Sequence, residues 1–291
     1  MPEVRLGDVK LGYRQLGAGP DVVLVHGLAT SQAFWNLALV ARLAESYRVT
    51  TYDLRGHGYS GMPPTGYAPA QMACDLAGLC DALAIERAHL VGHSFGGQVV
   101  AELALAQPQR ARSLVLADTR LRSLQPRQPL HTTAAGADVR AVFARYGDLV
   151  ADDEPEVGVR LLEILASGRW EKVRGRLAER TAFVPLAGRG GGRRAARRWL
   201  KLLYETTALD DFRHFTDGTE AHLPALACPL LAVYGARSPN LPTCEALART
   251  LPHVETAIVA DGGHFHPATQ AEHFFARLEE FMQRAGAARA R

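Results

Sequence analysis

The stretch that most limits what this chain can become is the pentapeptide Gly92-His93-Ser94-Phe95-Gly96. Ahead of it, Ala88 to Gly92 has the length and composition of a buried strand. After it, Gln98 to Gln107 carries Val99, Val100, Leu103 and Leu105 at helix-compatible spacing. A strand that turns at once into a helix brings two backbones close together and strains the turn, and a Cβ at either flanking glycine would worsen both. The pentapeptide fits the G-x-S-x-G pattern of a nucleophile elbow, which holds a serine hydroxyl above the carboxyl end of a sheet, beside the positive end of a helix.

The sequence on either side supplies a sheet for such a turn. Val4 to Leu16 alternates polar and apolar residues around Gly7-Asp8, which predicts a β-hairpin. Asp21 to Val25, Tyr47 to Tyr52 and Arg112 to Ala117 read as further strands. Helices are expected from Ser31, a plausible N-cap, through Leu43, and over Ala70 to Leu83. Strands alternating with helices predict a mainly parallel sheet covered on both faces. The alternation stops between Arg120 and about His222. Helix-like pieces near 138–150, 154–167, 169–182 and 194–207, with a loose Gly188 to Gly192 linker, predict an all-helical lid. It resumes with strands at Cys228 to Gly235 and Val254 to Ala260 and helices at Thr243 to Leu251 and Thr269 to Arg284, with a frayed end from Ala285. The expected organisation is an α/β core formed by residues 1–119 and 223–291, with a helical cap domain over 120–222.

An acyl-transfer serine needs a base, a group that orients the base, and donors for the developing oxyanion. His264, behind Gly262-Gly263 and just past the last strand, is the favoured base over His26, His57, His89 and His93, with His266 its local competitor. His93 is adjacent to Ser94, and a neighbouring ring does not readily reach that hydroxyl. The backbone amides of Leu28 and Phe95 are the expected oxyanion donors. His26, Gly27 and Trp35, together with Phe95, are candidate walls of the acyl pocket, Trp35 and Phe95 being equally placed to be core.

His26-Gly27-Leu28, Trp35, Asp53 to Ser60, Gly92 to Gly97 and Gly263-His264, in this order and with an insertion after the strand ending at Ala117, resemble the α/β-hydrolase superfamily, in particular its capped esterase and lactonase-like branch. The resemblance covers residues 21–119 and 226–284. It implies the α/β-hydrolase fold and a serine hydrolase acting on a carboxylic ester, lactone or thioester. In the family the orienting acid usually follows the penultimate strand, where this chain reads Gly235-Ala236-Arg237-Ser238-Pro239-Asn240 and has a serine at the expected place. Some members carry the acid after the strand that follows the nucleophile, where Asp118 stands. Asp118 is therefore the favoured acid. The alternatives are a neutral hydrogen bond to His264 from Ser238 or Asn240, or a weakened dyad. Asp261 is expected to shape its loop, and Asp53 and Arg55 to brace strand ends by pairing with backbone or with each other.

Two other readings share the fold. Ser238 at the acid position admits a non-catalytic ligand sensor, and the pocket could equally serve a lyase, an acyltransferase or a C–C hydrolase. No Walker, Rossmann or metal pattern is present, so no cofactor or metal is expected. Residues 120–215 hold 18 Lys and Arg against 12 Asp and Glu, although the whole chain is only +3. The cluster Arg193, Arg194, Arg197, Arg198 and Lys201 reads first as a solvated helix face. Its sharper reading is a surface for an anionic partner, such as an acidic carrier protein or a phosphate-bearing (CoA-linked) acyl group. No nucleic-acid module accompanies it. With no signal peptide, no apolar run of membrane-spanning length and four scattered cysteines expected as buried free thiols, a cytoplasmic protein is expected.

Overall fold

Six parallel strands form the centre of the molecule, the inner ones buried on both faces and the last, Val254–Val259, partly exposed. The computed structural model describes residues 1–37, 39–125, 191–214 and 223–287. The strands are β1 (Glu3–Leu6), β2 (Val9–Leu16), β3 (Asp21–Val25), β4 (Arg48–Tyr52), β5 (Ala88–His93), β6 (Ala111–Ala117), β7 (Leu230–Gly235) and β8 (Val254–Val259). They make one eight-stranded sheet in the order β1-β2-β4-β3-β5-β6-β7-β8. The β1–β2 hairpin joins β4 in antiparallel fashion, and every pairing from β4 to β8 is parallel.

Successive residues of a strand point to opposite faces, so the strands feed two cores. Val23, Val25, Leu90, Leu114, Leu116 and Tyr234 pack on one side with the helices Pro69–Ala82 and Phe95–Ala106. Val22, Leu24, Val91, Val115 and Val233 pack on the other with Phe34, Trp35, and the Phe274, Leu278 and Phe281 face of the helix Ala271–Ala287. The segment expected as one helix after Ser31 is two short ones, Ala33–Asn36 and Val40–Leu43. Gln32 rather than Ser31 stands at the first N-cap, and its amide N–H is committed to the Asp53 carboxylate at 2.8 Å. The last helix is likewise preceded by a separate turn, His266–Thr269, and runs to Ala287.

Of the insertion expected over 120–222, the helix-like pieces at 138–150, 154–167 and 169–182 lie outside the described residues. The helix predicted over 194–207 is present as Gly191–Glu205, beginning within the glycine run, and is followed by Ala208–His214. This pair sits on the loop after β4. Leu202 lies against Gly56, Trp199 packs edge-on to His57 with ring centroids 5.2 Å apart, and Arg198 donates to the Ser60 carbonyl at 2.8 Å. Thr207 N–H donates to the Pro64 carbonyl and Tyr67 N–H to the Asp211 carboxylate, both at 2.9 Å. The basic cluster is therefore not one free face. Arg198 turns inward and Lys201 pairs with Glu205 at 3.6 Å, while Arg197 is exposed.

The Asp53 to Ser60 loop is braced as expected, with partners the sequence did not reveal. Asp53 accepts from Gln32 N–H, Gln32 Nε2 and Tyr59 N–H at 2.8–2.9 Å. Arg55 pairs with Asp75 in a bidentate fork, both bonds 2.6 Å, and donates to Thr65 O at 2.9 Å. The four cysteines are free; Cys80, Cys228 and Cys244 are buried, but Cys74 is exposed, because its side of the Pro69–Ala82 helix faces solvent. Among the described residues no helix is long and apolar enough to cross a membrane.

Arg55 is 2% exposed and Asp75 6%. Removing one partner leaves the other charge buried and unmatched, so Asp75→Ala should lose about 3–5 kcal/mol in urea unfolding. The double variant Arg55→Met, Asp75→Leu should recover most of that. A loss below about 1 kcal/mol for Asp75→Ala would mean that the pair is solvated in solution.

Candidate active site

Three strands deliver their following residues to the same edge of the sheet. Val25 of β3 lies opposite Gly92 of β5, and His93 lies opposite Ala117 of β6. His26-Gly27-Leu28, Ser94 and Asp118 therefore leave the sheet side by side. Ser94 has φ 54° and ψ −122°, a conformation costly for a residue with a side chain. It is held by Ser94 N–H donating to Ala117 O and Gly97 N–H donating to Ser94 O, both at 3.0 Å. The following helix begins at Phe95 and brings Gly96 against the carbonyls of Val25 and His26, where a Cβ would overlap backbone. Ser94 keeps partial exposure in an otherwise buried stretch.

Gly27 runs directly beside the serine, and a Cβ on it would lie 2.8 Å from the Ser94 Cβ. Its carbonyl accepts from Thr30 Oγ1 and from His26 Nδ1, each at 2.8 Å. Carbonyl and N–H point opposite ways across a trans peptide, so these bonds also fix the direction of the Leu28 N–H. His26 Nε2 accepts the Leu54 N–H at 3.0 Å. Both ring nitrogens of His26 thus tie the loop to the end of β4. His26 is fully buried. Trp35, for which wall and core were both open, stands in the core. It has no exposed surface and packs between Phe34 and Phe274 in the core on the far side of the sheet. Phe95 packs edge-on to Phe212 of the insertion, centroids 5.4 Å apart.

Asp118 follows β6 with φ 51°, its N–H donating to Val233 O at 2.9 Å. Its carboxylate has no exposed surface. Oδ1 lies 2.8 Å from His264 Nδ1 and accepts from the Ser238 hydroxyl and from Asn240 Nδ2 at 3.2 Å. Oδ2 accepts the Gly235 N–H at 3.0 Å. His266 Nε2 stands 3.6 Å from Oδ2 and 3.3 Å from the Val233 carbonyl. Asp261, at φ 54°, shapes the loop before His264, its carbonyl accepting from Arg237 Nη2 at 2.7 Å. The structure thus brings Ser94, Gly27, Asp118, Ser238, Asn240 and His264 to one edge of the sheet.

The part His93 plays had no signal in the residue pattern. Its Nε2 donates to the main-chain carbonyl of His264 at 2.9 Å, and its ring stacks on Phe34 at 4.5 Å. The residue before Ser94 thereby ties this turn to the loop that carries His264. Burial drives the His93 ring well below its ordinary proton affinity, and the neighbouring His264 adds to the effect. Burial likewise lowers His26 and pushes His57 to about 3 and His89 and His266 to about 4. Among the described residues no group of three or more His, Cys, Asp or Glu side chains is arranged to hold a metal ion.

A family model described as the alpha/beta hydrolase fold matches residues 20–267. The chain belongs to the α/β-hydrolase family. It is 32% identical over 269 residues to the provisionally named carbamate hydrolase RutD of Yersinia enterocolitica, covering 91% of this chain and 88% of the relative. A 115-residue stretch is 37% identical to the 2-(acetamidomethylene)succinate hydrolase of Mesorhizobium japonicum, covering 40% of this chain and 41% of the relative. Among solved structures, a thermophilic esterase from Thermogutta terrifontis superposes with a TM-score of 0.65 at 26% identity, covering 98% of this chain and 99% of the other. This α/β-hydrolase is an enzyme whose relatives are named as hydrolases.

The buried imidazoles couple stability to acidity. Each is neutral in the fold and regains an ordinary affinity near 6.5 when unfolded, so the unfolded state binds more protons below that pH. Their contribution is complete above about pH 6.5 and is lost as pH falls toward the folded values, at roughly 1.4 kcal/mol per pH unit for each ring. Calorimetric unfolding at pH 5 in buffers of different ionisation enthalpy should show an uptake of about four protons. Uptake of fewer than one would mean that these rings are solvated.

Proposed function

We propose that this enzyme is a serine hydrolase that cleaves a carboxylic ester, lactone or thioester through an acyl-enzyme on Ser94. The observation that carries the reading is the 2.8 Å approach of Asp118 Oδ1 to His264 Nδ1 beside the strained elbow of Ser94. His264, its Nδ1–H held by Asp118, keeps Nε2 as the acceptor for the Ser94 proton while Oγ attacks the carbonyl carbon. The amide of Phe95 at the helix N-terminus and that of Leu28 receive the developing oxyanion. The imidazolium returns its proton to the leaving alkoxide or thiolate as the tetrahedral intermediate collapses. Water, deprotonated by the same ring, then releases the acid and regenerates Ser94.

The buried carboxylate of Asp118 beside His264 supports catalysis over the non-catalytic sensor that Ser238 at the acid position admitted. Relatives named as esterase and carbamate hydrolase support carbonyl hydrolysis over lyase, acyltransferase or C–C bond chemistry in this pocket. A small free acyl compound is the favoured substrate. Of the cluster that pointed to a carrier-protein- or CoA-linked acyl group, Arg198 is committed to the Ser60 carbonyl and Lys201 to Glu205. We place the enzyme in the cytoplasm.

A fluorophosphonate probe followed by intact mass should add one phosphonyl group to the wild type and none to Ser94→Ala. Asp118→Asn should label more slowly by roughly 10³–10⁴-fold, the scale of losing the carboxylate from a serine triad. Labelling of Asp118→Asn at the wild-type rate would overturn the assignment of the acid. Persistent labelling of Ser94→Ala would overturn that of the nucleophile.

A further inference from the structure

The segment standing where the family's acid is usually found meets the Asp118 carboxylate with two side chains. Ser238 Oγ donates to Asp118 Oδ1 and accepts the Asn240 N–H at 3.0 Å. Asn240 Nδ2 donates to the Asp118 main-chain carbonyl at 2.9 Å and lies 3.2 Å from Oδ1. Both residues are buried. A main-chain N–H only donates, so Ser238 Oγ is the acceptor in its bond with Asn240, and its own proton is left for Asp118. The chain Asn240 N–H, Ser238 O–H, Asp118 Oδ1 therefore has a fixed direction and ends on the same oxygen that takes the His264 Nδ1–H.

We infer that Ser238 is a positioning residue for the catalytic base: its hydroxyl, aimed by the Asn240 amide, holds Asp118 Oδ1 against His264 and tempers how strongly that carboxylate pulls on the ring. The inference rests on the reading of Asp118 as the orienting acid. A hydrogen bond to a carboxylate oxygen draws negative charge from it, and a carboxylate so relieved stabilises an adjacent imidazolium less. A serine here thus has a different task from the acid it replaces. Without it, Asp118 would bind the imidazolium more tightly and His264 would stay protonated to a higher pH.

Among the described residues, His93, His266, Tyr234 and Cys244 face this pair without changing charge in the range of an ordinary histidine. His93, 4.8 Å from His264 between ring centroids, and His266 beside Oδ2 are held neutral by burial, His266 down to about 4. Tyr234 is driven well upward by burial and by Asp118, and Cys244 is raised to about 11. A change at Ser238 therefore reads out on His264.

The test is the titration of the His264 ring by NMR in the full-length protein, its resonance identified by its loss in His264→Gln. Ser238→Ala should raise the midpoint by roughly 0.5–1 unit, a three- to tenfold gain in proton affinity. Ser238→Thr, which keeps the hydroxyl, should return it to the wild-type value. Ser238→Cys keeps the size with a weaker donor, so it should shift the midpoint the same way by less, and it carries the test if the alanine variant does not fold. A midpoint that stays in place or falls in Ser238→Ala, or in Ser238→Cys if that variant stands in, overturns the inference. The wider reading fails separately, if Asp118→Asn leaves the His264 midpoint and the fluorophosphonate labelling rate of Ser94 as in the wild type.

Discussion

The register of the parallel strands is the constraint on which the active site depends. Val25 opposite Gly92 and His93 opposite Ala117 bring the Gly27-Leu28 loop, Ser94 and Asp118 off the sheet at one level. A slip of one residue in β5 or β6 would turn every side chain of that strand to the other face. The two cores prevent it, because Val91 and Val115 fill one side of the sheet while Leu90 and Leu114 fill the other. Packing across the whole sheet thereby fixes the position of one hydroxyl. The strain at Ser94 persists because the hydrogen bonds with Ala117 and Gly97 and the packing of Gly96 leave the chain no other route.

Much of this was legible from residue patterns. Runs such as Asp21 to Val25 and Ala88 to Gly92 read as strands because parallel strands covered on both faces are apolar throughout. Ser94, Gly27 and His264 stood out because glycines mark the places where backbones nearly touch. The carboxylate partner of His264 was not legible in this way. Asp118 Oδ1 at 2.8 Å and Asn240 Nδ2 at 3.2 Å both come to His264 Nδ1, with Ser238 behind them on Asp118, and the meeting depends on loops after three different strands. Local sequence carries no record of that meeting. The surroundings of His26 and Trp35 were hidden for a related reason. Both are next to the site along the chain, but His26 is occupied in bracing the loop, and Trp35 points into the opposite core. Arg55 was expected to serve the loop end, and its partner Asp75 lies on a helix whose periodicity gives no hint of a buried charge.

Electrostatically, the site combines rings kept neutral with one ring given a carboxylate. His93, His26, His57 and His266 are all buried and neutral, and their apolar neighbours favour that state. They still work as hydrogen-bonding struts. His93 holds the carbonyl of residue 264, and His26 holds the carbonyl of Gly27. Histidine suits such positions because one neutral ring can donate from one nitrogen and accept at the other. His264 differs in having a carboxylate at 2.8 Å, itself satisfied by Ser238, Asn240 and Gly235.

The seating of the Gly191–Glu205 and Ala208–His214 helices on the loop after β4 has a consequence for how the insertion can be exchanged. That loop is shared property. Arg198, Trp199, Leu202 and Thr207 grip it from above, while Asp53 and Arg55 anchor it from below. Arg122, at the start of the insertion, donates to the carbonyls of Phe212 and Arg213 near its end, at 2.9 and 3.0 Å. A chimera that grafts another relative's insertion between residues 120 and 222 therefore has its working seam elsewhere. To remain seated, the graft must bring its own version of residues 54–67, and evolutionary drift in this insertion is bound to drift in a loop some 150 residues earlier in the chain.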